Sequence, residues 1–170
     1  MKKWILSGSI CALLFTACSK DDNGIQDVNN TDQNFVLMGS MSNNAEIMAG
    51  QLAASKGSST MVRSFGQMMV DEHTMAQQDL KARAGRASLM APDSVDAAHQ
   101  ALMARLSSLN GYSFDTAYIN SQVMDHAKAI DLFNTEINGG SNPGIRSYAT
   151  EYLPHIQMHY NRADSIRTVL

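Results

Sequence analysis

The sequence has 170 residues, 13 basic and 16 acidic side chains, and a formal net charge of −3 at pH 7. Nucleic-acid-binding domains usually have a basic balance of charge, so we predict no nucleic-acid partner for this mildly acidic chain. The length is sufficient for one domain, which would bury about 70% of its unfolded-chain surface.

The first 17 residues have the features of a secretory signal peptide. Lys2 and Lys3 precede the apolar run WILSGSICALLFTA, and small residues precede Cys18; this order of segments is typical of exported proteins. The apolar run is shorter than the ~20 residues of a membrane-spanning helix. LLFTAC is similar to a bacterial lipobox, in which the cysteine is lipidated and becomes the mature N-terminus. Phe15 stands where leucine is commonest, and ordinary signal cleavage is the alternative.

The residues from Cys18 onward predict a location in the cell envelope. The stretch CSKDDNG resembles the start of lipoproteins of the Bacteroidetes type, in which acidic residues after the cysteine mark export to the outer face of the outer membrane. We therefore expect anchoring to the outer membrane through lipid on Cys18, with the periplasmic and the external face both open. A single acyl chain binds weakly, whereas a triacylated cysteine, with palmitate among its chains, would anchor the protein stably.

Cleavage before Cys18 would change the composition of the protein. It removes Lys2 and Lys3 but no acidic residue, so the net charge moves from −3 to −5. Cys11 would leave with the signal peptide and Cys18 would carry lipid, so we predict no disulfide in the folded part. Residues 18–33 are polar and rich in Asn and Asp, which favours a flexible tether before a folded domain at 34–170.

From residue 34 onward apolar residues recur with the period of an α-helix, and no segment alternates with period two over any length. This pattern predicts an all-α protein, an antiparallel bundle of four long helices with one additional short helix. The predicted helices span about 32–56, from Ser59 to 88, 94–109, from Ser113 to the NGG at 138–140, and from Asn142 onward.

Two residues are expected to interrupt the helices. Gly57 would end the first helix in a left-handed conformation, which glycine adopts readily. Pro154 falls inside the fifth predicted helix, where proline removes one hydrogen bond and clashes with the carbonyl of Thr150. We expect a kink or a break there.

Each of three long helices carries one histidine near the middle of its apolar face: His73, His126 and His159. One such histidine is usually a hydrogen-bonded core residue, but three at similar heights indicate a common site. Glu46 lies at the edge of the apolar face of the first helix and needs a partner, because an unpaired buried charge is unfavourable. We predict that these four residues meet near the middle of the bundle, and that Glu72 points elsewhere.

Imidazoles and a carboxylate inside a bundle suit zinc, copper, nickel or iron. Neutral imidazole is the binding form, so affinity is expected to weaken as pH falls toward ~6.5. Methionine thioethers also bind Cu(I). However, the helical spacing places Met38, Met69 and Met103 on the buried faces of their helices, where methionine fills gaps in packing.

Four stretches, AEIMAGQLAASK, MVRSFGQMMVDEH, GYSFDTAYINSQVMDH and YLPHIQMHYNRA, resemble successive signatures of one family, the domain of unknown function 4142, described as outer-membrane proteins. The similarity runs from about Asn34 to the C-terminus. The similarity implies a ferritin-like helical bundle. The family has no settled activity, so the similarity implies no particular chemistry. Relatives often have aspartate where this chain has Glu72, and His155 lies outside the pattern. The pattern falls on Glu46, Gly50, His73, Phe114, Asp115, Tyr118, His126, Leu153, Pro154 and His159.

Three classes of function remain open. The first is a metal-binding module, and the second is a structural or interaction domain of the outer membrane with unknown protein partners. The third is a di-iron oxidase or ferroxidase, which usually needs Glu-x-x-His motifs. The sequence has no such motif, only Asp96-x-x-His99 and Glu151 with His155 one residue too far. No catalytic residue is assigned on these grounds.

Overall fold

A computed structural model describes Met1 and residues 27–170. Residues 2–17 of the predicted signal peptide, Cys18 and residues 19–26 of the predicted tether lie outside these residues. The described part contains five α-helices and no β-strand, so the all-α prediction is confirmed. None of these helices is long and apolar enough to cross a membrane. The helices are α1 (Asn30–Lys56), α2 (Thr60–Arg86), α3 (Ala97–Ser108), α4 (Gly111–Gly139) and α5 (Pro143–Arg167).

The four long helices form an antiparallel bundle in which α1 packs on α2 and α4, and α5 packs on α4 and α2. The backbone N–H groups of Ser58 and Ser59, between α1 and α2, donate to the carboxylate of Asp115 near the start of α4. At the opposite end, Asn29 before α1 donates to the Gly139 carbonyl at the end of α4. The connection that contains α3 therefore runs the length of the bundle, as the single long crossover of ferritin-like folds does.

Several observed helix ends differ from the predicted ends; α3, for example, begins at Ala97 rather than near residue 94. Helix α1 begins at Asn30, inside the expected tether, because Asn29 and Asp32 form a capping box. Helix α4 begins at Gly111 rather than at Ser113. Gly57 is not left-handed, since its φ is −53° and its ψ is 129°. Glycine is favoured at position 57 for space, because a Cβ would lie 2.7 Å from the carbonyl oxygen of Ala53.

The predicted starts of α2 and α5 are confirmed. The Ser59 side chain accepts a hydrogen bond from the backbone N–H of Met61. The Asn142 side chain caps α5, and Pro143 occupies its first turn, where the missing N–H needs no partner. Helix α5 continues through Pro154 to Arg167, so the expected break is wrong, and the expected kink stays a prediction. Residue 154 is exposed, and the ring therefore projects toward water on the outer side of the bundle.

The core consists of two apolar clusters, one on each side of the bundle's middle. The upper cluster is centred on Val62, Phe65, Met69, Leu106, Phe114, Ile119 and Ala163. The lower cluster is centred on Phe35, Leu80, Phe133, Ile145 and Tyr148. Met69 and Met103 are buried, as predicted, whereas Met38 is 40% exposed and the prediction for it is wrong.

Helices α1 and α2 approach closely where two glycines face each other. A Cβ on Gly50 would lie 2.7 Å from the Gly66 carbonyl oxygen, and one on Gly66 would lie 2.7 Å from the Ala53 Cβ. Such distances leave no room for a larger residue without a shift of backbone. This contact fixes the spacing of the two helices one to two turns above the polar residues that α1 and α2 contribute to the middle of the bundle.

Candidate metal centre

His73 on α2, His126 on α4 and His159 on α5 lie in one layer, and they are 3%, 1% and 1% exposed. On each helix, one flanking residue belongs to the upper cluster and one to the lower cluster, so apolar side chains enclose the layer from both sides. The flanking residues are Met69 and Ala76 on α2, Val123 and Ala129 on α4, and Ile156 and Ala163 on α5.

The three imidazole rings contact one another. The ring centroids of His73 and His126 are 5.7 Å apart, and the other two pairs are each 5.3 Å apart. One nitrogen from each ring lies within 4.8 Å of the others. Over residues 27–170, no other three side chains of His, Cys, Asp or Glu converge in this way.

Each ring contacts one oxygen that can only accept a hydrogen bond, so the ring nitrogen facing it must donate. The bonds run from His73 Nδ1 to Asn43 Oδ1 (3.0 Å), from His126 Nδ1 to the Gln122 backbone oxygen (2.9 Å) and from His159 Nε2 to Glu72 Oε2 (3.0 Å). The Asn43 amide is oriented by its own donations to Gln77 and Tyr148. These contacts fix the tautomer of all three rings.

The opposite nitrogen of each ring has a lone pair and no hydrogen-bond partner: His73 Nε2, His126 Nε2 and His159 Nδ1. Buried polar atoms are nearly always hydrogen-bonded, so each exception needs an explanation. Other buried atoms without a partner occur on Glu46, Thr116, Tyr118, Gln122 and Glu136, but these three nitrogens belong to the three side chains that converge. Each of the three rings therefore has a nitrogen lone pair that accepts no hydrogen bond from the described residues, and a lone pair of this kind can bind a metal ion.

The histidines are held in their neutral form. Burial lowers the pKa of His126 to about 4, and burial together with the nearby His126 lowers the pKa of His159 to about 4. Burial, followed by repulsion from the other two rings, takes the pKa of His73 well below its ordinary value. Proton competition for the lone pairs therefore begins nearer pH 4 than the 6.5 expected from the sequence.

Glu46 lies beside the layer and is 4% exposed. Its Oε1 is 3.8 Å from His126 Nδ1, the nitrogen that donates to Gln122, so Glu46 is not in the converging group. Burial raises the pKa of Glu46 to about 7, against the opposing effect of a hydrogen bond from the Gln122 side chain. The structure thus brings the three predicted histidines together and places Glu46 behind one of them.

Three neighbours of the histidines were not identified from the sequence: Asn43, Gln122 and Glu72. The positions of the first two could have been found from their spacing. Asn43 lies three residues before Glu46 and Gln122 lies four before His126, so each shares a helix face with a predicted site residue. Glu72 was expected to point elsewhere, but its carboxylate contacts His159 and His155. Both partners lie on another helix, so spacing along α2 could not reveal them.

The segments that imitate Glu-x-x-His have other roles. Asp96 is the N-cap of α3, and its carboxylate contacts both the backbone and the ring of His99. Glu151 accepts a hydrogen bond from Arg83, whereas His155 contacts Glu72. The converging group contains no carboxylate, which does not match the carboxylate-rich ligands of di-iron bundles.

Two crystal structures share the fold of this chain. A DUF305 fragment from Deinococcus radiodurans is 12% identical with a TM-score of 0.74, over 84% of this chain and 99% of that chain. A DUF305 protein from Streptomyces coelicolor is 11% identical with a TM-score of 0.67, over 80% of this chain and 91% of that chain. Identities this low show a similar helical bundle and carry no information about activity.

A comparison with curated proteins found no match. The family model named Domain of unknown function (DUF4142) matches residues 19–166, which is most of the chain and includes every residue of the histidine layer. The chain therefore belongs to the DUF4142 family.

Proposed function

We propose that this protein is a metal-binding domain that holds one first-row transition metal ion through His73, His126 and His159. The observation that carries the proposal is the combination of convergence and lack of partners. One nitrogen of each ring is buried without a hydrogen bond, and the three rings offer ligand nitrogens within 4.8 Å of one another. A layer that served packing alone would be expected to pair these atoms with polar groups.

The donor set suits zinc, copper, nickel or iron, which accept neutral imidazole. At metal–nitrogen distances of about 2.0–2.1 Å, tetrahedral ligand nitrogens lie about 3.4 Å apart. The present nitrogens lie within 4.8 Å of one another, so small rotations of the rings would complete the site. Three protein ligands would leave a fourth position for water or another small ligand.

The surroundings support the same proposal. Ligating histidines generally donate their second N–H to a carboxylate, a carbonyl or water, which orients the ring. Here Asn43, Gln122 and Glu72 supply one such acceptor to each ring. Glu72 and Glu46 also place two carboxyl groups next to the layer, and these would offset the charge of a buried cation.

Metal analysis and calorimetric titration of the full-length protein with Zn²⁺, Cu²⁺, Ni²⁺ and Fe²⁺ test the proposal. We expect one equivalent to bind in the wild type and in His99→Ala, the matched control on α3. We expect binding to be lost in His73→Ala, His126→Ala and His159→Ala. If the wild type binds no stoichiometric metal, or if the three variants bind as well as the control, the layer is structural and the proposal is wrong.

We also propose that lipid on Cys18 anchors this domain to the outer membrane. The support is the sequence alone: a basic start, a short apolar run and the stretch LLFTAC. Cys18→Ser should abolish acylation and release the protein from the membrane fraction, whereas Ser19→Ala should not. A Cys18→Ser protein that is still processed normally and remains membrane-bound would contradict the proposal. Protease treatment of intact cells distinguishes the external face from the periplasmic face.

A further inference from the structure

The histidine layer reaches water along one seam of the bundle, between α2 and α5. Of the three groups that accept hydrogen bonds from the layer, the Asn43 side chain and the Gln122 backbone are buried. Glu72 differs, because its side chain is 28% exposed. The Glu72 Oε2 atom lies 3.0 Å from His159 Nε2 and 3.3 Å from His155 Nδ1. His155 is 55% exposed, so these three side chains lead from the layer to the surface.

A cation needs such a path. The layer lies between two apolar clusters, and moving a hydrated ion through apolar side chains is strongly unfavourable because its charge would lose water without gaining ligands. A metal site must therefore have a route along which ligands replace water in steps. Over residues 27–170, the α2–α5 seam is where a group hydrogen-bonded to the layer is itself in contact with solvent.

We propose that Glu72 and His155 form an outer metal-capture site, through which ions reach and leave the inner histidines. This inference rests on the proposed function of the layer. Carboxylate oxygen and imidazole nitrogen are both ligands of zinc and of similar ions, and their separation of 3.3 Å is close to the spacing of two ligand atoms on one ion. An ion held there is next to His159.

His159 connects the outer site to the inner one. His155 and His159 are four residues apart on α5, so both project from the same face of the helix. The Nε2 atom of His159 faces Glu72, while its Nδ1 atom is the unpartnered donor of the layer. When the carboxylate of Glu72 moves toward a captured ion, the hydrogen bond to His159 is released and the ring becomes free to turn toward the incoming metal.

This arrangement predicts a kinetic signature. A residue that acts on the path alone changes association and release by the same factor, so their ratio, the Kd, is preserved. A residue that also orients a ligand of the inner site changes the Kd as well. His155 belongs to the first class, whereas Glu72 belongs to both because it accepts the hydrogen bond of His159.

The test uses full-length protein and Zn²⁺ alone, with association and release followed by stopped-flow exchange against a chromophoric chelator. His155→Ala should slow both rates about tenfold, at the lower end of the gains in association rate that a local ion-attracting group provides. Glu72→Gln should slow association and weaken the Kd about 10- to 100-fold, as loss of a ligand-orienting carboxylate does. His99→Ala is the matched control, because His99 also contacts a carboxylate, that of Asp96 at 2.9 Å.

The outcomes separate this inference from the function on which it rests. If His155→Ala and a second variant, His155→Gln, bind one Zn²⁺ with the rates of the wild type and of His99→Ala, the capture site is wrong and the inner site stands. If the wild type binds no Zn²⁺, both fail. His155 is exposed, so both variants should retain the thermal unfolding transition of the metal-free wild type, and a changed Kd in His155→Ala would overturn its assignment to the path.

Discussion

Two of the regions in which this bundle buries polar groups pair those groups in different ways. The base cluster consists of Asp32 and the backbone of Asn29, Ser141 and Asn142. Asp32 is fully buried, and its carboxylate accepts three backbone N–H groups at 2.7, 3.1 and 2.9 Å. Burial by itself would raise the pKa of Asp32, but these hydrogen bonds outweigh it and the pKa is lowered.

The histidine layer is buried to nearly the same degree, yet one nitrogen of each ring has no partner. In the base cluster, the Asp32 carboxylate joins the start of α1 to the loop before α5. The hydrogen bonds that it accepts offset the unfavourable burial of its charge. In the layer, by contrast, one ring nitrogen of each histidine forms no hydrogen bond with the rest of the described chain. Burial of polar groups therefore does not by itself distinguish a structural role from a binding role. In the layer, the further sign is that the unpaired atoms belong to three side chains that converge.

The largest effect expected from this comparison is the loss of the base carboxylate. Asp32→Ala leaves three backbone donors without their acceptor, and a buried donor left unsatisfied costs about 1–3 kcal/mol, so we expect a loss of about 3 kcal/mol or more. Urea unfolding measures the change in the free energy of unfolding. Asp131→Ala, at an exposed position on α4, is the control and should change it little. Equal effects in the two variants would refute the structural role of the base cluster.

The next effect is the stabilisation of the layer by metal. If the histidines bind an ion, free metal at 100 times the Kd should raise the free energy of unfolding of the wild type by about 2.7 kcal/mol. His73→Ala should lose this increment, and Asp32→Ala should keep it despite its lower stability. Thermal unfolding with and without Zn²⁺ measures both. A metal increment that survives in His73→Ala would place the ion elsewhere.

A smaller effect concerns acid. Because the pKa of His126 is lowered to about 4, the unfolded chain binds its proton more readily than the folded protein. The stability that this residue contributes is complete above pH 6.5 and is lost as pH falls toward 4. The metal-free His126→Gln variant should therefore lose about 2 kcal/mol less than the wild type between pH 7 and pH 5.

Urea unfolding at each pH, in the presence of a chelator, provides this measurement, with His99→Gln as the control. Two carboxyl groups act in the opposite direction, since burial raises the pKa of Glu46 to about 7 and that of Glu136 to about 8. Their contribution is complete at acid pH and declines as pH rises toward those values. The informative quantity is therefore the difference between variant and wild type, and identical pH profiles would contradict the prediction.

The smallest effect tests whether orientation of the rings matters. Asn43→Leu removes the acceptor of the His73 Nδ1–H group and should weaken metal binding about tenfold, the lower end for loss of a ligand-orienting group. The neighbouring Asn44 bonds to the carbonyl of Pro92 instead, so Asn44→Leu is a matched control. Calorimetric titration with Zn²⁺ compares them. Equal affinities would show that the layer holds His73 without help from α1.

Much of the fold could be predicted from the sequence because apolar periodicity determines which face of a helix is buried. In α2, the spacing of three and four residues places Val62, Phe65, Met69, His73, Ala76 and Leu80 on one face, and all six are buried. The start of α1 was misplaced because its capping box lies in a polar stretch without periodicity. Met38 failed for another reason: it has the phase of a core residue but lies beside the groove between α1, α3 and α4, which leaves it partly open to water.

The sequence by itself determined that three helices each carry one histidine on the buried face, since a residue's phase on a helix depends only on its spacing from its neighbours. For His126 the acceptor of the ring N–H group is the carbonyl of Gln122, one turn earlier on the same helix. For His73 and His159, only the tertiary structure decided which ring nitrogen donates, because their acceptors lie on other helices. For His159 that acceptor is Glu72 on another helix, 87 residues away along the chain. Position on a face is a local property of the chain, whereas the pairing of buried atoms is a property of the assembled bundle.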